Sequence, residues 1–354
     1  MNRRDILKSS LVATLAGTTG MTASAARAAE GERKVIKPRR LAAGDTVGVI
    51  APASSPFEDE EIRFAIDIVR SLGYRVREGE HLYARDRFLA GTDRDRADDV
   101  NRMFADDGVD AVFALRGGYG TSRILPYLDY DVIAKNPKIF IGYSDITAIL
   151  NAIHAKTGLT VFHGPVAWQN FSEYTLAEFR KVLADPAPRT RIGEAPPIES
   201  REGFVDAKNR ITRFTGGKAE GRLVGGNLTL ITNLMGTPFE PDFRGRILFI
   251  EDVGEAPYRV DRMLTQLWLA GRLQEASGLA FGKITGAYDT CNDFSGNTFS
   301  VEEVIRMRCE PLGIPTIRGL MIGHVEDQTT VPLGINARLD ADAGTLELLE
   351  PAVT

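Results

Sequence analysis

A serine cleaves an acyl bond only when a neighbouring base takes its proton, and a histidine serves as that base best when a carboxylate fixes its tautomer. Residues of those types stand out at three places: Ser144 in Gly-Tyr-Ser-Asp, His324 in "GLMIGHVEDQ", and the acids Glu251, Asp252 and Glu255 in "RILFIEDVGE". Ser144 follows the apolar run "KIFIG" and precedes the helix-like "ITAILNAIHAKTG". A hydroxyl at such a seam projects away from the sheet, with the helix start favouring developing negative charge. Serine is also a favoured helix cap, and G-Y-S-D matches only half of G-x-S-x-G, so both roles stay open. Of the other histidines, His154 reads as helix surface or packing, His163 as a supporting group, and His81 as superficial. Acids at the end of a buried strand serve either as orienting groups or as solvated loop charges.

"RGGYG", Arg116 to Gly120, also follows an apolar run, one strand–helix unit before Ser144. Adjacent glycines let backbone N–H groups face a substrate oxygen, and they equally make a plain tight turn. Neither G-x-G-x-x-G nor G-x-x-x-x-G-K-[ST] occurs there, which argues against a nucleotide site. No H-x-x-H, H-E-x-x-H or metal-like cysteine spacing occurs, so no metal and no cofactor is expected.

The elements that must position these residues follow from periodicity. "TVGVIAPAS", "DEEIRFAIDIVRSLGYRVREG", "RDRADDVNRMFADDGVDAVFALRGGYG" and "NPKIFIGYSDITAILNAIHAKTGLTVFHGP" alternate short apolar runs with helical periods. That alternation predicts βαβ units and a largely parallel sheet over 36–183, with the loops at 51–55, 116–120 and 143–145 on its carboxyl edge. Residues 184–215, rich in Pro, Gly and charge, read as a linker or crossover. Residues 216–354 read as short strands with glycine corners and one or two helices, a smaller β-rich domain.

The chain of 354 residues carries a formal charge of −5 and shows no basic stripe for nucleic acid. Its first residues hold Arg3-Arg4, a weakly apolar run, and Ala26-Arg27-Ala28, an A-x-A cleavage site. Residues 1–28 are therefore expected to be a twin-arginine export signal cleaved near Ala28, with the mature protein periplasmic. No later segment approaches the run of about 18 apolar residues that a membrane span needs. In an exported protein Cys291 and Cys309 pair or remain two thiols; their spacing favours neither.

In this order along the chain, "GVIAPASSP", "FLAGTDRDRADDVNRMFADDGVDAVFALRGGYG", "IGYSDITAIL", "GRLVGGNLTLI", "LFIEDVGEAPYRVDRMLTQL" and "GHVEDQTTVPLG" resemble the LD-carboxypeptidase family of serine peptidases. The resemblance covers nearly everything after the leader. Family members trim murein tetrapeptides, and a related branch acts on peptide–nucleotide antibiotics. The resemblance implies a flavodoxin-like or Rossmann-like parallel-sheet domain, and a smaller β-rich domain of swivelling β/β/α or barrel-like form. The site would lie at their interface. It implies a Ser144–Glu251–His324 triad, with backbone N–H groups of Asp145, Gly117 and Gly118 as the oxyanion hole. The implied reaction releases the terminal D-alanine from a small peptide or muropeptide, and a homodimer is a further expectation. Arg116 is a candidate for the terminal carboxylate, or else anchors its loop. Tyr119 and Asn227 are candidate substrate contacts, Asn227 alternatively a helix cap. Murein-recycling members of the family usually act in the cytoplasm, so the leader marks a departure in location. Two other functions fit the same residues. One is an antibiotic-inactivating peptidase, which would want aromatic stacking from Trp168 or Trp268, although Trp268 reads as core. The other is a non-catalytic muropeptide-binding protein.

Overall fold

The computed structural model describes residues 33–197, 202–203, 205–206, 209–287 and 298–354. The expected leader and Cys291 lie outside the described residues. Val35–Thr354 form one contact unit. Its strands are β1 (Thr46–Ile50), β2 (Arg75–Glu78), β3 (Ala111–Ala114), β4 (Ile139–Gly142), β5 (Phe162–His163), β6 (Thr190–Ile192), β7 (Thr212–Thr215) and β8 (Lys218–Asn227). They continue with β9 (Ile247–Val253), β10 (Gly278–Thr285), β11 (Thr316–Arg318), β12 (Val331–Pro332), β13 (Asn336–Asp340) and β14 (Thr345–Leu348). The longer helices are α1 (Asp59–Ser71), α2 (Asp93–Ala105), α3 (Thr147–Thr157), α4 (Glu173–Leu183), α5 (Pro257–Leu269) and α6 (Val301–Cys309).

The strands form two sheets. The first runs β12-β5-β4-β3-β1-β2, with β1 to β5 parallel as the alternating pattern predicts. The loops after β1, β3 and β4 thus leave the same edge. Its last strand, β12, comes from far along the chain and pairs antiparallel with β5, Val331 opposite His163. The second sheet runs β6-β14-β13-β8-β9-β10-β11-β7. Its centre, β8 to β11, is parallel, and its flanks are antiparallel. The stretch 184–215 contributes β6 and β7, the two outermost strands of this sheet.

Strand β9 shows how burial on both faces sets the site. Ile247 and Phe249 pack into the core shared with the first sheet, while Leu248 and Ile250 pack with Val260 and Leu264 of α5 and Val304 of α6. A strand covered on both sides reads as an unbroken apolar run, "ILFI". Period-two alternation then points Glu251 toward the first sheet and Asp252 toward the α5 side. Helix α3 is buried from Thr147 through Ile153. It docks on the second sheet through Asn151 Nδ2, which donates to Gly225 O at 2.9 Å, and Asn227 N, which donates to Thr147 Oγ1 at 3.1 Å. Trp268, expected in the core, is 42% exposed. The buried positions of α5 are Pro257, Val260, Leu264 and Leu267, a stripe at helical spacing that turns Trp268 outward. Cys309 is a buried free thiol, pushed up to about 12 by burial. Among the described residues no helix is long and apolar enough to cross a membrane.

Candidate active site

Ser144 takes φ +64, a left-handed conformation shared among described non-glycine residues only by Arg87. Holding a serine there costs about 1–3 kcal/mol, a strain that folds keep mainly at functional turns. The residue opens a single 3₁₀ turn, Ser144–Ile146, that leads into α3. Its side chain caps neither the turn nor the helix, so capping does not account for the residue.

The turn is fastened to the neighbouring loop. A Cβ on Gly117 would lie 2.8 Å from Ser144 Cβ and 3.0 Å from its Oγ. Only glycine lets the Arg116–Gly120 loop come this close. The N–H groups of Gly117 and Gly118 donate to no acceptor among the described residues. Thr121 ties loop to turn twice, its N–H donating to Asp145 Oδ2 at 2.8 Å and its hydroxyl to Asp145 O. Asp145 is buried, which raises its carboxyl above the usual range against the opposing bonds from Thr121 and Gly120. Beneath the loop, the buried Arg96 guanidinium donates to Pro52 O at 2.7 Å and Gly120 O at 3.0 Å, and pairs with Asp93 at 2.5 Å. Tyr119 N donates to Ser54 Oγ at 3.1 Å. The loops after β1, β3 and β4 are thereby one rigid assembly. Arg96, Thr121 and the carboxylate of Asp145 carry no local motif that would have marked them in the sequence.

The second sheet brings the acid and the base. Glu251 is fully buried at the end of β9, and its Oε2 lies 2.7 Å from His324 Nδ1. An ionised carboxylate only accepts, so Nδ1 carries the proton and Nε2 is left with its lone pair. Gly323, at φ +102, allows this approach: a Cβ there would fall 2.6 Å from Glu251 Cβ and closer still to Oε2. Gln328 Nε2 holds the same loop by donating to Gly323 O at 2.9 Å. The two sides meet through Tyr143, whose ring stands edge-on to His324 at 4.8 Å. Burial and the charge of Glu251 push its phenol up to about 12. Ser144 and His324 share no direct hydrogen bond in this structure; catalytic bonds of this kind tighten when substrate binds.

The remaining candidates separate. Arg116 lies over Trp168, its Cζ 4.7 Å from the ring, and its buried Nε has no partner among the described residues. Tyr119 is 55% exposed, edge-on to the exposed Phe88 at 5.7 Å. Asn227 is buried and committed to the protein. Its Oδ1 accepts from Leu230 N at 3.3 Å as the cap of the short helix Leu228–Asn233, and its Nδ2 donates to Asp252 Oδ1 at 2.9 Å. Asp252 also accepts from Val253 N, and its carboxyl is raised to about 6 by burial and the neighbouring Glu251 charge. Glu255 pairs with Arg259 at 3.5 Å. His154 packs beneath Gly334, its Nδ1 3.0 Å from Leu159 O, and burial pushes it down to about 4. His81 is less superficial than expected, with Nδ1 3.0 Å from the buried Asp99.

Known proteins give an independent line. Residues 47–164 match the LD-carboxypeptidase N-terminal domain, and residues 220–339 match the LD-carboxypeptidase C-terminal domain. The probable murein peptide carboxypeptidase of Bacillus subtilis (strain 168) is 40% identical over 305 residues, covering 86% of this chain and 91% of that one. The murein tetrapeptide carboxypeptidase of Pseudomonas aeruginosa is 32% identical over 304 residues, covering 84% and 93%. The microcin C7 self-immunity protein MccF of Escherichia coli is 30% identical over 330 residues, covering 88% and 94%. A solved structure of the wild-type MccF gives a TM-score of 0.80 at 28% identity, covering 90% of this chain and all of that one.

Proposed function

Because the chain belongs to the LD-carboxypeptidase family, we propose that it is a serine peptidase that cleaves the L,D amide bond of murein tetrapeptides and releases the terminal D-alanine. The observation that carries this reading is the 2.7 Å bond from His324 Nδ1 to a buried Glu251, with the His324 ring against Tyr143, the neighbour of a serine held at φ +64. His324 Nε2 takes the proton from Ser144 Oγ as that oxygen attacks the scissile carbonyl. Glu251 fixes the imidazole tautomer and stabilises the imidazolium that forms. The free N–H groups of Gly117 and Gly118, with that of Asp145, receive the oxyanion. His324 then returns its proton to the leaving amine of the D-amino acid. Water, deprotonated by the same histidine, cleaves the acyl-serine and restores the hydroxyl. In this reading Arg116, held over Trp168, receives the substrate's terminal carboxylate. The test is D-alanine release from purified murein tetrapeptide, beside Ser144→Ala. Release by the wild type alone supports the reading, and no release by either protein removes the murein substrate.

A second reading keeps the chemistry and changes the substrate to a peptide–nucleotide antibiotic. Likeness to MccF supports it, and Trp168 offers a partly buried ring near the loop. Hydrolysis of an aminoacyl sulfamoyl nucleoside in preference to the tetrapeptide would select it. We also infer that the protein works in the periplasm, on the strength of Arg3-Arg4 and Ala26-Arg27-Ala28. Cell fractionation checks this: replacing Arg3 and Arg4 with lysine should leave the uncleaved chain in the cytoplasm, and unchanged periplasmic delivery would overturn it.

A further inference from the structure

Among the described residues, three buried polar atoms beside the proposed triad have no hydrogen-bond partner: both ring nitrogens of His163 and Oε1 of Glu251. Such orphans are rare in folded proteins, because each carries its full desolvation penalty. Their positions are related. His163 ends β5 opposite Gly142, two residues before Ser144. Its ring stands 6.1 Å from that of Tyr143 and edge-on to Phe249 at 5.4 Å. Phe249 and Glu251 share one face of β9. The imidazole is therefore lodged between the serine's strand and the acid's strand, and it feels the charge of Glu251.

We propose that His163 is a positioning residue for the reaction: a neutral imidazole that donates a ring N–H to Oε1 of Glu251, the oxygen opposite the one that holds His324. This inference rests on the triad proposed above. A carboxylate gripped at Oε2 alone can tilt about its broad terminal torsion, whereas one gripped at both oxygens holds its plane and keeps the His324 ring aimed at Ser144. The bond is not made in this structure, and making it requires the imidazole to turn about its own broad χ2. Burial pushes His163 down to about 4, so at neutral pH the ring carries one N–H and no charge. The other reading of the residue is an aromatic filler between Tyr143 and Phe249.

The experiment separates these roles without depending on the peptide substrate. The full chain is treated with a fluorophosphonate, on which Ser144 Oγ attacks phosphorus and displaces fluoride, and the labelling rate is measured. His163→Phe keeps the ring and removes both nitrogens, while His163→Gln restores an N–H donor. His163→Phe should label about 10- to 100-fold more slowly than wild type, the loss expected for one hydrogen bond to a charged group. His163→Gln should stay within about threefold of wild type. On a hydrolysed peptide the loss should fall on kcat and leave KM unchanged. Circular dichroism melts establish that each variant is folded, and if His163→Phe is not, His163→Gln decides alone. Wild-type labelling rates in His163→Phe, or an equal loss in His163→Gln, would overturn the proposal while leaving the triad standing. Labelling that persists in Ser144→Ala, or is absent from the wild type, would overturn the triad and this proposal together.

Discussion

The two sheets hold their halves of the site by different physics. The first presents Ser144 through backbone geometry: a left-handed serine, a glycine in contact with it, and loops bolted together by Arg96 and Thr121. The second presents Glu251 and His324 through burial: a carboxylate with no exposure, set on the inward face of an apolar strand. A conformational arrangement fails when a side chain intrudes. An electrostatic one fails when a charge is removed or loses its partner. Each half should therefore respond to its own kind of damage.

The largest effect belongs to the residue both halves serve. Ser144→Ala should lower D-alanine release by about 10,000-fold or more at an unchanged melting profile. A residual rate near wild type would dissolve the comparison, because neither half would then be positioning a nucleophile. On the electrostatic side, Glu251→Gln should cost roughly 1,000- to 10,000-fold in kcat, since an amide partner favours the wrong histidine tautomer. On the conformational side, Gly117→Ala drives a methyl against Ser144 and should cost about 100-fold in kcat, with all ionisable groups intact. Steady-state kinetics read both. Equal pH dependence in Gly117→Ala and wild type would sharpen the contrast, and a shifted profile would blur it.

Smaller effects lie in stability. Ser144→Gly removes the penalty of a positive φ and should raise unfolding free energy by about 1 kcal/mol in urea titrations. On the second sheet, Asp252 has a folded value of about 6 against an ordinary 3.8, so the folded chain binds this proton more tightly than the unfolded one. Its contribution is full below about pH 4 and lost as pH rises toward 6. His163 runs the other way: lowered from 6.5 to about 4, it contributes fully above pH 6.5 and loses that contribution as pH falls. Relative to wild type, Asp252→Asn should gain roughly 2 kcal/mol of stability between pH 4 and 6, and His163→Gln should lose about as much over the same rise. Urea unfolding across that range measures both slopes. No slope in the Asp252→Asn difference would remove the electrostatic character assigned to the second sheet, while the His163→Gln slope tests the buried imidazole at the edge of the first.

The same contrast explains what could be read from the sequence. The parallel sheet and the seam at Ser144 were legible because a strand, a sharp turn and a helix are neighbours in the chain, and their periods are local. The apolar run ahead of Glu251 and the glycine ahead of His324 were equally visible, but nothing local says that the two residues touch. Arg96 was invisible because it lies in an ordinary charged helix, and only the fold brings the carbonyls of Pro52 and Gly120 to its guanidinium. Trp268 misled because hydrophobicity counts a residue without its angle on the helix. Asn227 left two roles open, and the bond to Leu230 N shows that it caps the following helix.

The pairing of β12 with β5 bears on how the enzyme comes into being. Val331 and Pro332 complete the outer edge of a sheet whose other strands all lie before residue 164. A nascent chain that has released only those earlier strands carries an open ladder beside His163, and local pairing cannot close it. The segment that closes it follows soon after His324, so the same late step that seals the first sheet also delivers the proposed base. Assembly of the site is thus tied to a segment made long after the serine turn, and a chain stalled before His324 would hold that turn without its proposed base.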